Sequence, residues 1–175
     1  PTEPFFMGRT VISPAALKEG NLQICNTVFD ATVCGIKFQV RGFPHASQDT
    51  EIMTCAETTL WAMMEYFSTR YAEYRPVLPS KIINTLNKVS VERQVPSRGL
   101  SIPQLSYALR EFGFGTRIYA RQDFIDDFEK IISCYVESGL PVIIAVDNQD
   151  DKGNIGHAMI CIGREKNHTN HFTAI

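Results

Sequence analysis

The clearest periodic pattern along the chain lies in residues 54–67. Glu57 follows Thr54 by three residues, which is the spacing of a capping box at a helix N-terminus. Apolar residues then recur at helical spacing, so the pattern predicts a helix whose first residue is Cys55. A first helical residue lies near solvent and near unpaired backbone N–H groups, which sets Cys55 apart from an ordinary core cysteine. The apolar positions are Ala56, Leu60, Met63, Met64 and Phe67.

The N-terminal part of the chain carries a weaker pattern. Residues 1–31 show little periodicity and predict an irregular arm or lead-in. Residues 32–40 place apolar residues in near alternation and predict a strand, which Gly42 and Pro44 close. No repeat or linker is visible, so residues 32–175 are predicted to form one globular domain.

Helices and then strands are predicted in the rest of the chain. Ser101 and Gln104 form a second capping box at the start of one helix. The run 142–146 is continuously apolar and predicts a strand buried on both faces. After a polar loop, residues 157–163 predict another strand, and the two strands are expected to pair as a hairpin. The helices are predicted over residues 80–88, 101–112 and 123–138.

The composition fits a globular domain and excludes several classes of partner. Of the 175 residues, 44% are hydrophobic and 21% are charged, which is ordinary globular usage. The net charge is −2, and no segment concentrates Lys and Arg as a nucleic-acid-binding surface requires. No apolar run approaches the roughly 18 residues of a membrane-spanning helix. We therefore expect neither nucleic acid nor a membrane span.

The cysteines indicate free thiols and no cofactor or metal. Their number is odd, and none forms a CxxC pair or stands at metal-ligand spacing from a histidine. A reducing compartment such as the cytoplasm is therefore favoured. Two of them, Cys134 and Cys161, lie within apolar runs and are predicted to be core residues. The five cysteines are Cys25, Cys34, Cys55, Cys134 and Cys161.

Cys55 and His157 are the residues whose positions suit nucleophilic chemistry. The partial positive charge of a helix N-terminus stabilises a thiolate, so the predicted position lowers the pKa expected for a thiol there. A thiolate nucleophile also needs an imidazole to pair with it and to protonate the leaving group. Among the four histidines, His157 stands directly after Gly156 at the start of an apolar strand. The alternative is that His157 is a hydrogen-bonding residue at a strand end.

Four segments resemble the papain-like cysteine peptidases, and more closely their bacterial peptidase C39-like branch. In order they are TCAETTLWAMMEYF, GLSIPQLSYALREFGF, SGLPVIIAVD and GHAMICIG, within residues 45–165. The resemblance implies an α+β, papain-like fold. In that fold, N-terminal helices carry the nucleophile Cys55 at a helix N-terminus and pack on an antiparallel sheet that carries His157.

The resemblance also implies two supporting residues. Gln48 would donate a side-chain N–H to the oxyanion beside the backbone N–H of Cys55, although it lies seven residues before the cysteine where the papain pattern has six. The alternative is that Gln48 is an ordinary exposed glutamine. An Asn or Asp beyond the histidine would orient the imidazole, and Asn170 or Asn167 could fill that place. A Cys–His dyad, an orienting residue outside this sequence, and a site that has lost its activity are open alternatives.

The leading hypothesis is a cysteine peptidase that acts on a peptide or protein through an acyl-enzyme on Cys55. One alternative is an acyltransferase or amide-modifying enzyme with the same intermediate, because a fold and a dyad do not define the acceptor. Another is a non-catalytic binding or regulatory domain that keeps the fold.

Overall fold

A computed structural model of the chain describes residues 10–16, 22–46, 55–88, 101–146 and 157–165. Helices and strands are mixed within these residues, which confirms the predicted α+β class at that level. The strands are β1 (Thr10–Ile12), β2 (Leu22–Ile24), β3 (Thr27–Val33), β4 (Ile36–His45), β5 (Val142–Val146), β6 (His157–Cys161) and β7 (Gly163–Glu165). The helices are α1 (Cys55–Arg70), α2 (Pro79–Asn87), α3 (Ile102–Glu111) and α4 (Phe128–Glu137).

An antiparallel sheet in the order β1-β4-β3 precedes α1. Strands β3 and β4 form a hairpin around Cys34 and Gly35, whose φ angles are 50° and 80°. Left-handed backbone at both positions is the geometry of a type I′ turn, which matches the twist of the two strands. The single strand predicted over residues 32–40 is therefore wrong, because the chain reverses inside that segment.

The irregular structure predicted for residues 1–31 is also wrong for the part of that range that the structure describes. Strands β1 and β2 and most of β3 lie there, and each pairs with a strand that comes later in the chain. Strand β2, for example, pairs with β7, with Leu22 opposite Glu165 and Ile24 opposite Gly163. A three-residue strand has too few positions for alternation to show. The division of the chain into a lead-in and one domain stays a prediction.

Helix α1 begins at Cys55 as predicted and is buried around most of its circumference. It packs against β3, β4, β6, α2 and α3, which explains why apolar residues occur on several of its sides. Two groups of buried residues lie along it. The Leu60 cluster comprises Ala56, Leu60, Met64, Val77, Ile82, Leu86, Leu105, Ala108 and Ala158. The Tyr66 cluster comprises Cys25, Phe43, Ala62, Met63, Tyr66, Phe67, Val136 and Cys161.

The remaining helices follow the predicted order, with one shifted start. At α3, the backbone N–H of Ser101 donates to the Gln104 side-chain oxygen over 2.8 Å, as the capping box requires. Helix α4 begins at Phe128, whereas the sequence predicted a start at residue 123. Residues 121–123 form a separate 3-10 turn, and Asp127 pairs with Lys130 over 2.8 Å across the first turn of α4. An acidic residue at that position complements the helix dipole.

Strands β5 and β6 pair as the predicted antiparallel hairpin, from Val142 opposite Cys161 to Val146 opposite His157. Burial on both faces of β5 is not observed. Its first three residues are half-buried, and Ala145 and Val146 are exposed. An apolar run alone does not distinguish a central strand from a strand with one open side.

Candidate active site

Cys55 is the first residue of α1. The first turn of a helix has backbone N–H groups without a partner inside the helix, and the helix dipole adds partial positive charge there. Both features stabilise an anion near a helix N-terminus, which is the physical basis of the role predicted for Cys55.

His157 is the first residue of β6 and lies opposite Val146 of β5. Its side chain is exposed, whereas the next residue, Ala158, is buried. Successive side chains of a strand point to opposite faces, so the imidazole lies on the face opposite to the one that buries Ala158. Solvent therefore has access to this histidine.

Packing brings the beginning of α1 and the beginning of β6 to the same part of the core. The helix contacts the strand directly. Ala56 and Ala158 both belong to the Leu60 cluster, with 1% and 7% of their surfaces exposed. Each of them directly follows one of the two predicted catalytic residues, Cys55 and His157. The fold thus buries the residues that directly follow Cys55 and His157 in one hydrophobic cluster.

The first turns of α1 also bury polar side chains that the sequence analysis did not single out. Glu57 is 3% exposed, and Thr58 and Thr59 are each 6% exposed. A search for apolar periodicity does not detect such residues, because their burial depends on polar partners rather than on hydrophobicity. The predicted partner of Glu57 in the capping box, Thr54, lies outside the described residues.

The other cysteines are free thiols in two contrasting settings. Burial raises the pKa of the Cys25 thiol from 9.0 to about 11, although the positive charge of Arg70 opposes the increase. Burial likewise raises the pKa of Cys161, which confirms its predicted place in the core. Cys134 is exposed, so its predicted core position is wrong: α4 turns Ser133 and Val136 inward instead. Cys34 is exposed at the tip of the β3–β4 hairpin.

Three residues were predicted to support the site through the oxyanion or the imidazole. Gln48, Asn167 and Asn170 lie outside the described residues, so the oxyanion and orienting roles stay predictions. Among the described residues, no group of three or more His, Cys, Asp or Glu side chains could hold a metal ion. None of the described helices is long and apolar enough to cross a membrane.

Comparisons with known proteins give no independent assignment. No protein-family model matches the chain, and no curated protein or solved structure is significantly similar to it. The functional argument therefore rests on the residues and their arrangement.

Proposed function

We propose that this chain is a papain-like cysteine peptidase in which Cys55 is the nucleophile and His157 is the general base. The observation that carries the proposal is that a helix and a strand begin beside one buried cluster. Cys55 opens α1, His157 opens β6, and the residues that follow them are buried in the same cluster. A helix N-terminus and an accessible imidazole are the two features that activate a thiol.

The proposed reaction begins with the Cys55 thiolate and the His157 imidazolium. The thiolate sulfur attacks the carbonyl carbon of a peptide bond, and the carbonyl electrons move onto oxygen. The backbone N–H of Cys55 and the side chain of Gln48 would donate hydrogen bonds to that oxyanion. His157 protonates the departing amine as the C–N bond breaks, which leaves an acyl-enzyme. His157 then removes a proton from water, whose oxygen displaces the thiolate.

Cleavage of unfolded protein substrates tests the proposal. The chain is incubated with reduced, denatured proteins of varied sequence, and new termini are identified by mass spectrometry. Cleavage that is lost in Cys55→Ser and retained in Cys134→Ser is expected, because Cys134 is an exposed thiol outside the proposed site. Cleavage that persists in Cys55→Ser would refute the assignment. Added amines that appear in the products would reveal transfer to a nucleophile other than water.

The second candidate is a binding domain without catalysis. One observation favours it: His157 lies on the face of β6 opposite to Ala158, the residue that shares a cluster with the first turn of α1. An imidazole directed away from the helix would leave the thiol without a base. Absence of cleavage together with an intact fold in both the parent chain and Cys55→Ser would favour this candidate.

A further inference from the structure

A groove of about 320 Å³ runs beside β5, and the proposed thiol chemistry does not use it. Residues 142–145 of β5 and residues 114–119 both contribute to its lining. Alternate residues of a strand face opposite sides, so a groove on one face of a sheet would contact every second residue. Contact with four successive residues of β5, and with none of the described residues of β6, indicates that the groove follows the outer edge of β5.

Backbone groups on two sides of this groove have no partners in the described part of the chain. There, β5 pairs with β6 and with no other strand, which leaves the N–H and C=O groups of its outer edge open. Residues 115–119 belong to no helix or strand and form no backbone hydrogen bond with another described segment. Unpaired backbone groups at a sheet edge are a template for a further strand.

The side chains around the groove define what such a strand should carry. Most are apolar, and among them Ile118 is 54% exposed and Ile102 is 44% exposed. Among the described residues that line the groove, Arg117 alone is charged. Its guanidinium lies 5.0 Å from the centre of the Tyr119 ring and forms no ion pair with a described carboxylate. An occupant with apolar side chains and one acidic group would complement both features.

We propose that the groove binds an extended polypeptide segment, which adds to the outer edge of β5 as a further strand. Strand addition supplies affinity through main-chain hydrogen bonds and specificity through the side chains that enter the groove. A compact apolar molecule would fill the volume but would leave the backbone of β5 unpaired. The described lining of the groove includes Ala145, which precedes Val146, the partner of His157 in the hairpin. Binding there needs no thiolate, so this site stands independently of catalysis.

The test uses the Cys55→Ser chain, which separates binding from any cleavage. The probe is a fluorescein-labelled peptide of alternating Val and Thr with one central Glu, and its binding is followed by fluorescence anisotropy. Ile118→Asp is expected to weaken binding by about tenfold or more, because it would place a charge against apolar groups. The matched control is Ile125→Asp, since Ile125 is 78% exposed and lies outside the groove. The control should bind as the parent does.

Two further comparisons examine the chemistry of the contact. N-methylation of alternate amides along one edge of the probe should abolish binding, since it removes donors to the strand. Arg117→Gln should weaken binding of the acidic probe about two- to fivefold, the range of an exposed ion pair, and Arg121→Gln should not. Equal affinities of Ile118→Asp and Ile125→Asp, or full binding of the N-methylated probe, would overturn the proposal. Self-association that excludes the probe would overturn it in favour of a second copy as occupant.

Discussion

Cys25 packs at the C-terminal end of α1, whereas Cys55 begins the helix at its N-terminal end. At the C-terminal end, the Cys25 thiol is 3% exposed in the Tyr66 cluster, and burial raises its pKa to about 11. At the N-terminal end, Cys55 is itself part of the helix and lies at the positive end of its dipole. Burial accounts for the raised pKa of Cys25, and the helix N-terminus is the reason that we propose Cys55 as the reactive cysteine.

The C-terminal end is also tied to its surroundings by polar contacts. The Tyr66 hydroxyl donates to the carbonyl oxygen of Gly139 over 2.8 Å, and its ring stacks on Phe43 with the centroids 5.1 Å apart. The Arg70 guanidinium donates to the carbonyl oxygen of Asn26 over 2.9 Å. These contacts join α1 to β4, to the loop after β2 and to the turn after α4. We therefore expect this end to support stability and the other end to support chemistry.

The largest expected effect is on turnover at the N-terminal end. Cys55→Ser should lower the rate of peptide cleavage by at least about 1000-fold, because a serine hydroxyl at this position is not ionised near neutral pH. Thermal unfolding should change little. The measurement is the initial rate on a cleaved peptide, with Cys134→Ser as the control that keeps the parent rate. Equal losses of turnover in the two variants would show that the effect is not specific to Cys55.

At the C-terminal end, the expected effect is on stability. Tyr66→Ala should destabilise the fold by about 3–5 kcal/mol, because it removes a fully buried ring. Tyr66→Phe should cost about 1–3 kcal/mol, because the Gly139 carbonyl loses its donor. Urea unfolding monitored by circular dichroism gives both values.

Tyr74→Phe is the control for the hydroxyl. The Tyr74 ring stacks on Phe114 with the centroids 4.5 Å apart, but its hydroxyl has no hydrogen-bond partner among the described residues. Loss of that hydroxyl should change the free energy of unfolding by less than about 0.5 kcal/mol. If Tyr66→Phe behaved like Tyr74→Phe, the polar contact would not stabilise this end of the helix.

Gly42 of β4 allows a smaller perturbation of the packing at the C-terminal end of α1. A Cβ atom on Gly42 would lie 2.2 Å from the carbonyl oxygen of Ile12, so β1 and β4 would have to separate next to Phe43. Gly42→Ala should cost about 1–3 kcal/mol in the free energy of unfolding, as overpacking does. Gly115→Ala is the control, because a Cβ there meets nothing within 4 Å. Both variants should label at Cys55 as the parent does, since distant sites act independently.

The smallest expected effect is the pH dependence of stability in alkali. The folded-state pKa of Cys25 is raised from 9.0 to about 11, so the unfolded chain releases this proton first. Stability from the neutral thiol is therefore complete below pH 9 and is lost as the pH rises towards 11. The urea midpoint should fall over that interval, and less steeply in Cys25→Ala. An identical slope in both proteins would contradict the assigned burial.

Local patterns predicted the elements that carry the candidate site. The start of α1 at Cys55 follows from spacing within one helix, and the β5–β6 hairpin follows from two apolar runs separated by a polar loop. Both signals come from residues that are close together in the sequence, where periodicity is informative.

Other features depend on partners that are distant in the sequence or on unusual turn residues. Strand β2 exists because β7 pairs with it, and three residues carry no periodic signal of their own. Cysteine is rare in a type I′ turn, so the sequence pattern did not reveal the chain reversal at Cys34 and predicted one continuous strand. The groove beside β5 depends on which strand edge stays unpaired, and a sequence pattern does not contain that information.

The most direct test of the central claim is the pH dependence of Cys55 alkylation by iodoacetamide, resolved by peptide mapping. The exposed thiols Cys34 and Cys134 serve as references in the same molecule. We predict that Cys55 labels faster than both at pH 6, and that His157→Ala slows it without affecting the references. Labelling of Cys55 that rises only as the pH nears an ordinary thiol pKa, and that is unchanged in His157→Ala, would contradict the proposed catalytic pair.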